Sequence, residues 1–239
     1  MRLWAGLALA LGLAGCVAAL PAAQTWPQTP QPAVLAQNLP PASALTNFRA
    51  VATRLEPVAE AACRDIGRVR NWDFRIVIDD RPNQPANAFQ TLDSAGRPIL
   101  AFSAALISDA LNADELAFVI GHEAAHHILG HIPQAEQQAL TGALLAGAIA
   151  TASGLDRAGI EQAQQMGAAV AARSYSKDFE LQADALGAEV AFHAGYDPVK
   201  GAAFFDRLPD PGDKFLGSHP ANAQRKAVVL RVMAQLTGR

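Results

Sequence analysis

The strongest chemical signal in the chain is a pair of histidines four residues apart, His122 and His126, with Glu123 directly after the first. On an α-helix, residues four apart lie on one face and about 6 Å apart along the axis, so both imidazoles can bind one Zn²⁺. Glu123 is then placed to accept a proton from an attacking water molecule. The apolar flanks of the motif, 116–120 and 128–129, favour a buried helix face over a solvated one. The spacing therefore predicts a hydrolytic zinc centre.

A catalytic zinc ion normally has three protein ligands and one open position, so two histidines are not sufficient. One known arrangement takes a third histidine six residues after the second, but that position is Ile132, and His131 would point about 100° away on a helix. Glu180 and Asp184 offer another solution, because they too are four residues apart. We predict that Glu180 is the third ligand and that Asp184 accepts the N–H of a ligating histidine. The alternative for such a pair is an ordinary solvated acidic face.

These residues together resemble metallopeptidase family forty-eight, the group of the HtpX-like and BepA-like proteases and the CAAX prenyl endopeptidases. The motifs that carry the resemblance are His122-Glu123-Ala124-Ala125-His126 with His131, Tyr175-Ser176-Lys177-Asp178 leading to Glu180 and Asp184, Asn87-Ala88-Phe89 followed by Pro98 to Ile107, and Ser218-His219-Pro220 with Arg225. The resemblance spans residues 45–236. It departs from the family at Asp93-Ser94-Ala95-Gly96, where members often have a glycine pair, and this leaves the substrate preference of the loop open.

The resemblance implies a mainly helical α+β domain of the gluzincin type, with a small β-sheet beside the zinc helix. The residues implied to hold one Zn²⁺ per chain are His122, His126 and Glu180. Glu123 is implied to be the base. His219 is implied either to ligate the metal at rest or to stabilise the oxyanion, and the alternative is that it only begins the last helix after a capping Ser218. Arg225 is expected to orient this segment or to pair with a carboxylate.

The N-terminus has the pattern of a secretory address. A short positive segment precedes the uncharged apolar run Leu3–Leu20, and Leu13-Ala14-Gly15-Cys16 resembles a bacterial lipobox. We therefore predict a signal peptide at residues 1–15, cleaved before a lipid-modified Cys16. An uncleaved anchor, or cleavage elsewhere, is the alternative. The residue after the cysteine is Val17 rather than Asp, and in Gram-negative lipoproteins this implies delivery to the outer membrane, facing the periplasm.

A tether is predicted at residues 16–42, because six prolines occur between Pro21 and Pro41 and proline disfavours helix. The metallopeptidase domain is expected at residues 43–239. In it we predict a helix over 43–68 that is interrupted or kinked at Pro57, further helices over 113–131, 134–152, 157–173, 178–194, 198–207 and 220–236, and strands over 74–80, 86–92 and 98–104. Asn112 and Glu115 have the spacing of a capping box at the start of the zinc helix. A small sheet followed by a run of helices is an α+β arrangement.

Composition limits the classes of function. Of 239 residues, 51% are hydrophobic, and 52 are alanine, which favours helix, so a disordered or collagen-like chain is excluded. The net charge of −3 gives no basic footprint for nucleic acid. The apolar core of the helix at 134–152 covers only 139–150, which is too short to span a membrane and disfavours a membrane-embedded peptidase.

The predicted function is a periplasmic zinc-dependent endopeptidase that acts on envelope or misfolded proteins. Its expected partners are protein or peptide substrates, including outer-membrane proteins, and a membrane that it meets through the lipid at Cys16. The alternative is a zinc protein with a latent site, in which His219 is a fourth ligand that excludes water. Such a protein would act mainly as a chaperone or assembly factor for outer-membrane proteins.

Overall fold

The computed structural model describes residues 41–208 and 220–238, apart from the side chains of residues 173–176. This part of the chain is mainly helical with one small sheet, and the predicted α+β class is confirmed. In chain order its elements are α1 (Ala42–Ile66), β1 (Arg75–Asp79), β2 (Ala88–Leu92), β3 (Pro98–Ser103), α2 (Ala104–Asp109), α3 (Ala113–Ile128), α4 (His131–Ala152), α5 (Arg157–His193), α6 (Pro198–Gly201), a 3₁₀ helix (Ala202–Arg207) and α7 (Asn222–Thr237).

The sheet has the strand order β1-β3-β2, with β3 parallel to β1 and antiparallel to β2. Strand β3 is central and nearly all of it is buried, as its apolar composition predicts. Among the described residues, strand β2 pairs with β3 alone. The turn between them is tight, because the N–H of Gly96 donates to the carbonyl of Asp93 at 2.9 Å. The sheet therefore presents β2 as an edge strand.

Helix α3 lies at the centre of the domain and contacts α1, α5 and β2. Asn112 caps it as predicted, with its side-chain oxygen accepting from the N–H of Glu115 at 3.0 Å. The second half of the predicted capping box is wrong. The Glu115 carboxylate accepts from the N–H of Leu111 at 2.8 Å and pairs with Arg207 at 2.6 Å. Because Glu115 is only 1% exposed, its charge requires a cationic partner, and the guanidinium supplies one.

Several helices differ from the predicted ones. Helix α1 is not interrupted at Pro57, and α2 was not predicted. Helix α3 ends at Ile128 because the chain turns through Gly130 at φ +69°, and Pro133 lies in the first turn of α4. A proline there removes no helical hydrogen bond, so it does not end the zinc helix as predicted. The two helices predicted at 157–173 and 178–194 are one helix of 37 residues, α5. The residues between them include neither glycine nor proline, so nothing breaks the helix.

Helices α3 and α5 cross at two glycines, Gly121 and Gly187. A Cβ atom on Gly121 would lie 2.6 Å from the carbonyl oxygen of Gly187, and one on Gly187 would lie 2.7 Å from the backbone nitrogen of His122. Side-chain carbons do not approach backbone atoms this closely, so only glycine permits the crossing. The crossing therefore places α5 against the turn of α3 that carries the first histidine.

Helix α4 packs along the first half of α5 as a long hairpin. Its outer side carries exposed apolar residues, namely Leu140, Leu144, Leu145 and Ile149. In the ranges that the structure describes, no helix combines the length and the apolar character needed to cross a membrane.

Candidate metal centre

Three predicted ligands converge where α3 meets α5. The Nε2 atoms of His122 and His126 are 3.1 Å apart. The Glu180 carboxylate oxygens lie 3.6 Å from Nε2 of His122 and 3.4 Å from Nε2 of His126. A tetrahedral zinc ion with bonds of about 2.05 Å has its donor atoms about 3.3 Å apart, so these spacings fit zinc. Within the described residues, no other group of His, Cys, Asp and Glu comes close enough to hold a metal ion.

The donor chemistry fits zinc as well as the distances do. Two imidazole nitrogens and one carboxylate oxygen form a known ligand set of catalytic zinc sites, which keep the fourth position for water or substrate. The first histidine is 8% exposed, and the ligand atoms face an open cleft. The described residues therefore supply three ligands, which is the number that catalytic zinc sites take from the protein.

Asp184 holds the far nitrogen of the first ligand. Its Oδ1 lies 2.9 Å from Nδ1 of His122, and Arg225 donates to both of its oxygens at 2.7 Å. Burial raises the pKa of Asp184, but the hydrogen bonds from His122 and Arg225 outweigh that effect and lower the pKa. The ionised carboxylate therefore accepts the Nδ1–H of His122. Burial lowers the pKa of His122, but hydrogen bonds with Asp184 and Glu180 outweigh that effect and raise the pKa to about 10. Metal binding must therefore displace the proton from Nε2. The structure thus brings Asp184 and Arg225 together with the predicted ligand.

His131 holds the far nitrogen of the second ligand. Its Nδ1 is 2.9 Å from Nδ1 of His126, and its ring stacks on Phe179 with centroids 4.4 Å apart. Burial and the neighbouring His126 lower the pKa of His131 to about 4, so the ring is neutral and its Nδ1 can accept a hydrogen bond from the Nδ1–H of His126. From the sequence, His131 is not expected to be a ligand, and no other role is predicted for it. A ligating histidine usually has a hydrogen-bond partner on its second nitrogen, and Asp184 serves only one of the two ligating histidines. The second histidine therefore needs a partner of its own, and His131 is the residue that supplies it.

Glu123 lies beside the ligands and is 9% exposed. Burial raises its pKa, and the two histidine ligands offset this only in part. A carboxylate with a raised pKa accepts a proton more readily than an exposed one. The position and the electrostatics of Glu123 both suit a general base.

An open cleft of about 530 Å³ lies in front of the ligands, and we call it the main cleft. Strand β2 and the preceding Asn87 form one wall, while Phe204, Phe205 and Arg225 contribute to its lining elsewhere. The N–H of Asn87 donates to Oγ of Ser103 at 2.9 Å, which fixes the start of β2 to the end of β3. The Asn-Ala-Phe segment of the resemblance therefore borders the metal centre directly.

The comparison with protein-family models agrees with this geometry. The model described as Peptidase family M48 matches residues 48–232, a range that contains every residue of the metal centre described above. The chain belongs to peptidase family M48. The resemblance inferred from the motifs is thereby confirmed, and M48 membership supports a zinc metallopeptidase. No curated protein and no solved structure matches the chain.

Several predicted features of this M48 protein lie outside the described residues. They are the signal peptide at residues 1–15, the lipid-modified Cys16 with all but the last two residues of the tether at 16–42, the segment that carries His219, and the side chains of Tyr175 and Ser176. The roles predicted for Cys16 and His219 therefore remain predictions.

Proposed function

We propose that this M48 protein is a zinc-dependent metalloendopeptidase that hydrolyses internal peptide bonds of envelope or misfolded proteins. The observation that carries the proposal is the group of donor atoms 3.1 to 3.6 Å apart on His122, His126 and Glu180. Beside it lie a buried carboxylate with a raised pKa and an edge strand in an open cleft. This combination suits hydrolysis of an extended peptide.

The residues of the centre divide the chemistry among them. His122, His126 and Glu180 would hold the zinc ion, which when bound polarises the scissile carbonyl and lowers the pKa of water to about 7. Asp184 and His131 fix the ring orientations of the two histidines, so that both Nε2 atoms are directed at the same position. A carboxylate oxygen of Glu123 accepts the proton of the attacking water. It then passes that proton to the nitrogen of the leaving amine.

Strand β2 is the proposed docking edge for the substrate. An extended peptide can add to the outer edge of a sheet through main-chain hydrogen bonds, which recognise backbone more than side chains. Such binding requires an unfolded or flexible segment, because a folded protein keeps its strands paired. Quality control or processing of misfolded envelope proteins, including outer-membrane proteins, is therefore the proposed role.

The proposed location is the periplasmic face of the outer membrane, through a lipid on Cys16. The lipobox-like Leu13–Cys16 and the following Val17 support this location, and residues 16–42 would act as the tether. Metabolic labelling with a fatty acid should tag the wild type but not Cys16→Ala, and that variant should leave the membrane fraction. Equal labelling of the two proteins would contradict the lipid anchor.

Glu123→Gln is the experiment that tests the reaction. This variant should keep about one zinc ion per chain, because Glu123 is not among the proposed ligands. It should lose cleavage of denatured casein by about 100-fold or more, the usual effect of removing a general base. Glu136→Gln, the same substitution at an exposed position of α4, is the matched control and should cleave like the wild type.

Two results would change the proposal. If Glu123→Gln cleaves casein as fast as the wild type, the assignment of the base is wrong. If the variant fails to cleave but still rescues an envelope defect in cells, the latent zinc site with a chaperone or assembly role becomes the better account.

A further inference from the structure

A second cavity of about 220 Å³ lies next to the main cleft, and we call it the side cavity. Gln90 of β2, the ligand His126 and Ile132 border both spaces, so the two adjoin at the metal centre. Ala88 lines only the main cleft, and Leu92 lines only the side cavity. The edge strand therefore leads from one space to the other within its five residues.

The walls of the side cavity are held by hydrogen bonds. Residues 69–71 form one wall, and Asn71 connects this wall to two other elements. Its carbonyl oxygen accepts from Nε2 of His127 on α3 at 2.6 Å, and its side-chain Nδ2 donates to the carbonyl of Gly96 at 3.1 Å. The ring of His127 also packs edge-on against Phe74, with centroids 5.4 Å apart. Because these contacts are internal to the domain, the cavity exists before any peptide binds.

The geometry points to the side cavity as a substrate subsite that binds a large apolar side chain on the N-terminal side of the scissile bond. This inference rests on the proposed endopeptidase function. A strand added to β2 is more stable antiparallel than parallel, so the substrate runs from the Leu92 end towards the Ala88 end. The base Glu123 lines the main cleft and not the side cavity. A substrate residue beside Leu92 therefore precedes the bond that is cut.

The lining selects the class of side chain. Val69, Leu92, Ile132 and Pro133 supply apolar surface, and exposed Arg70 also contributes to the lining. An apolar cavity of about 150 Å³ is large enough to bind benzene, so this one has room for the side chain of leucine, methionine or phenylalanine. The positive charge of Arg70 opposes lysine and arginine, and small side chains leave the cavity unfilled. A preference for large apolar residues is the expected result.

The test first maps the bonds that the full-length zinc-loaded protein cleaves in denatured casein. It then measures kcat/KM for two peptides that differ only by leucine or alanine at the substrate position that enters the side cavity. The wild type should favour the leucine peptide about tenfold or more in kcat/KM, the usual effect of filling an apolar pocket. Val69→Trp fills the cavity and should bring that ratio close to one. Leu92→Glu places a charge in the lining of the side cavity at a half-exposed position and should also lower the ratio. This second variant keeps the test valid if Val69→Trp fails to fold.

Val199→Trp is the matched control, because this exposed valine lines neither space, and it should keep the wild-type ratio. Fluorescence anisotropy of the same peptides bound to Glu123→Gln protein, with and without Val69→Trp, gives a readout that needs no turnover. The inference is overturned if the apolar preference lies only after the cut, or if both cavity variants keep the wild-type ratio. If the protein binds the leucine peptide more tightly than the alanine peptide but cleaves neither, the subsite stands and the proposed endopeptidase function fails.

Discussion

Replacing Gly187 by alanine tests whether the glycine crossing sets the geometry of the metal centre. The new Cβ would lie 2.7 Å from the backbone nitrogen of His122 and 2.9 Å from its Cα. These are backbone atoms and cannot rotate away. Because ordinary contacts begin near 3.4 Å, α3 and α5 must separate by about 0.7 Å at this point. The separation moves His122 away from Glu180, the pair whose closest donor atoms are already 3.6 Å apart.

Gly147 is a matched control for the size of this effect. Alanine at either glycine stabilises the helix by about 1 kcal/mol, so that gain cancels when the two variants are compared. At Gly147 the new Cβ meets only the flexible side chain of Gln164, which can move. At Gly187 the clash costs about 1–3 kcal/mol of overpacking. The free energy of unfolding should therefore be about 1–3 kcal/mol lower for Gly187→Ala than for Gly147→Ala.

Zinc affinity gives the second measurement. Disturbing the residues that support a ligand usually lowers metal affinity about 10- to 100-fold, and we expect that loss for Gly187→Ala only. Urea unfolding of the metal-free proteins measures the stability difference, and competition with a chromogenic chelator measures the affinity. If the two alanine variants have equal stability and bind zinc equally well, the close crossing does not determine the ligand geometry and the reasoning fails.

Three further predictions concern the same domain. Asp184→Asn removes the carboxylate that pairs with buried Arg225 at 2.7 Å and leaves only the longer ion pair with Glu180 at 3.4 Å. The free energy of unfolding should therefore fall by up to about 3–5 kcal/mol, and zinc affinity should fall about 10- to 100-fold in the same assays; unchanged affinity would show that Asp184 does not orient the ligand. Removing zinc with a chelator should lower the Tm and abolish casein cleavage, and added zinc should restore both. If the Tm does not change when zinc is removed, the folded protein does not bind zinc at this site. Burial raises the pKa of Asp114, but hydrogen bonds from Lys200 and a backbone N–H outweigh that effect and lower the pKa. The ionised Asp114 therefore stabilises the fold above its unfolded pKa of about 3.9, and this stability is lost as the pH falls through the lower folded pKa. The difference in the free energy of unfolding between wild type and Asp114→Asn should be small for this solvent-screened pair and should shrink further below about pH 4 in urea titrations; a difference that grows in acid would refute the shift.

The ligand set could be predicted because its spacing is local. Residues four apart share a helix face whatever the rest of the fold does, so His122 with His126, and Glu180 with Asp184, could be paired from the sequence. Zinc chemistry then linked the two pairs, since two histidines leave the ion short of ligands. The early strands and the small sheet followed from alternation and turn residues in the same local way.

The rest depended on contacts between distant parts of the chain. Glu115 pairs with Arg207, 92 positions away, and accepts from the N–H of Leu111 instead of that of Asn112. No local pattern predicts either partner. The polar residues between the two predicted helices at 157–173 and 178–194 disfavour helix only weakly, so packing at both ends carries α5 through them. His131 forms a hydrogen bond with His126 because the chain turns at Gly130. The single helix predicted over 113–131 does not include this turn and therefore did not predict the contact.

The order of the ligands along the chain has a consequence for biosynthesis. Both histidines lie on α3, whereas Glu180 comes only after α4 and the first half of α5. A growing polypeptide that has emerged as far as α4 carries two imidazoles without the carboxylate, and it lacks Asp184 to orient the first of them. The metal site is therefore completed only when α5 has folded back onto α3, so zinc uptake follows tertiary folding. A newly made chain would thus gain peptidase activity only after it has folded, when other copies of the enzyme can no longer cleave it as an unfolded substrate.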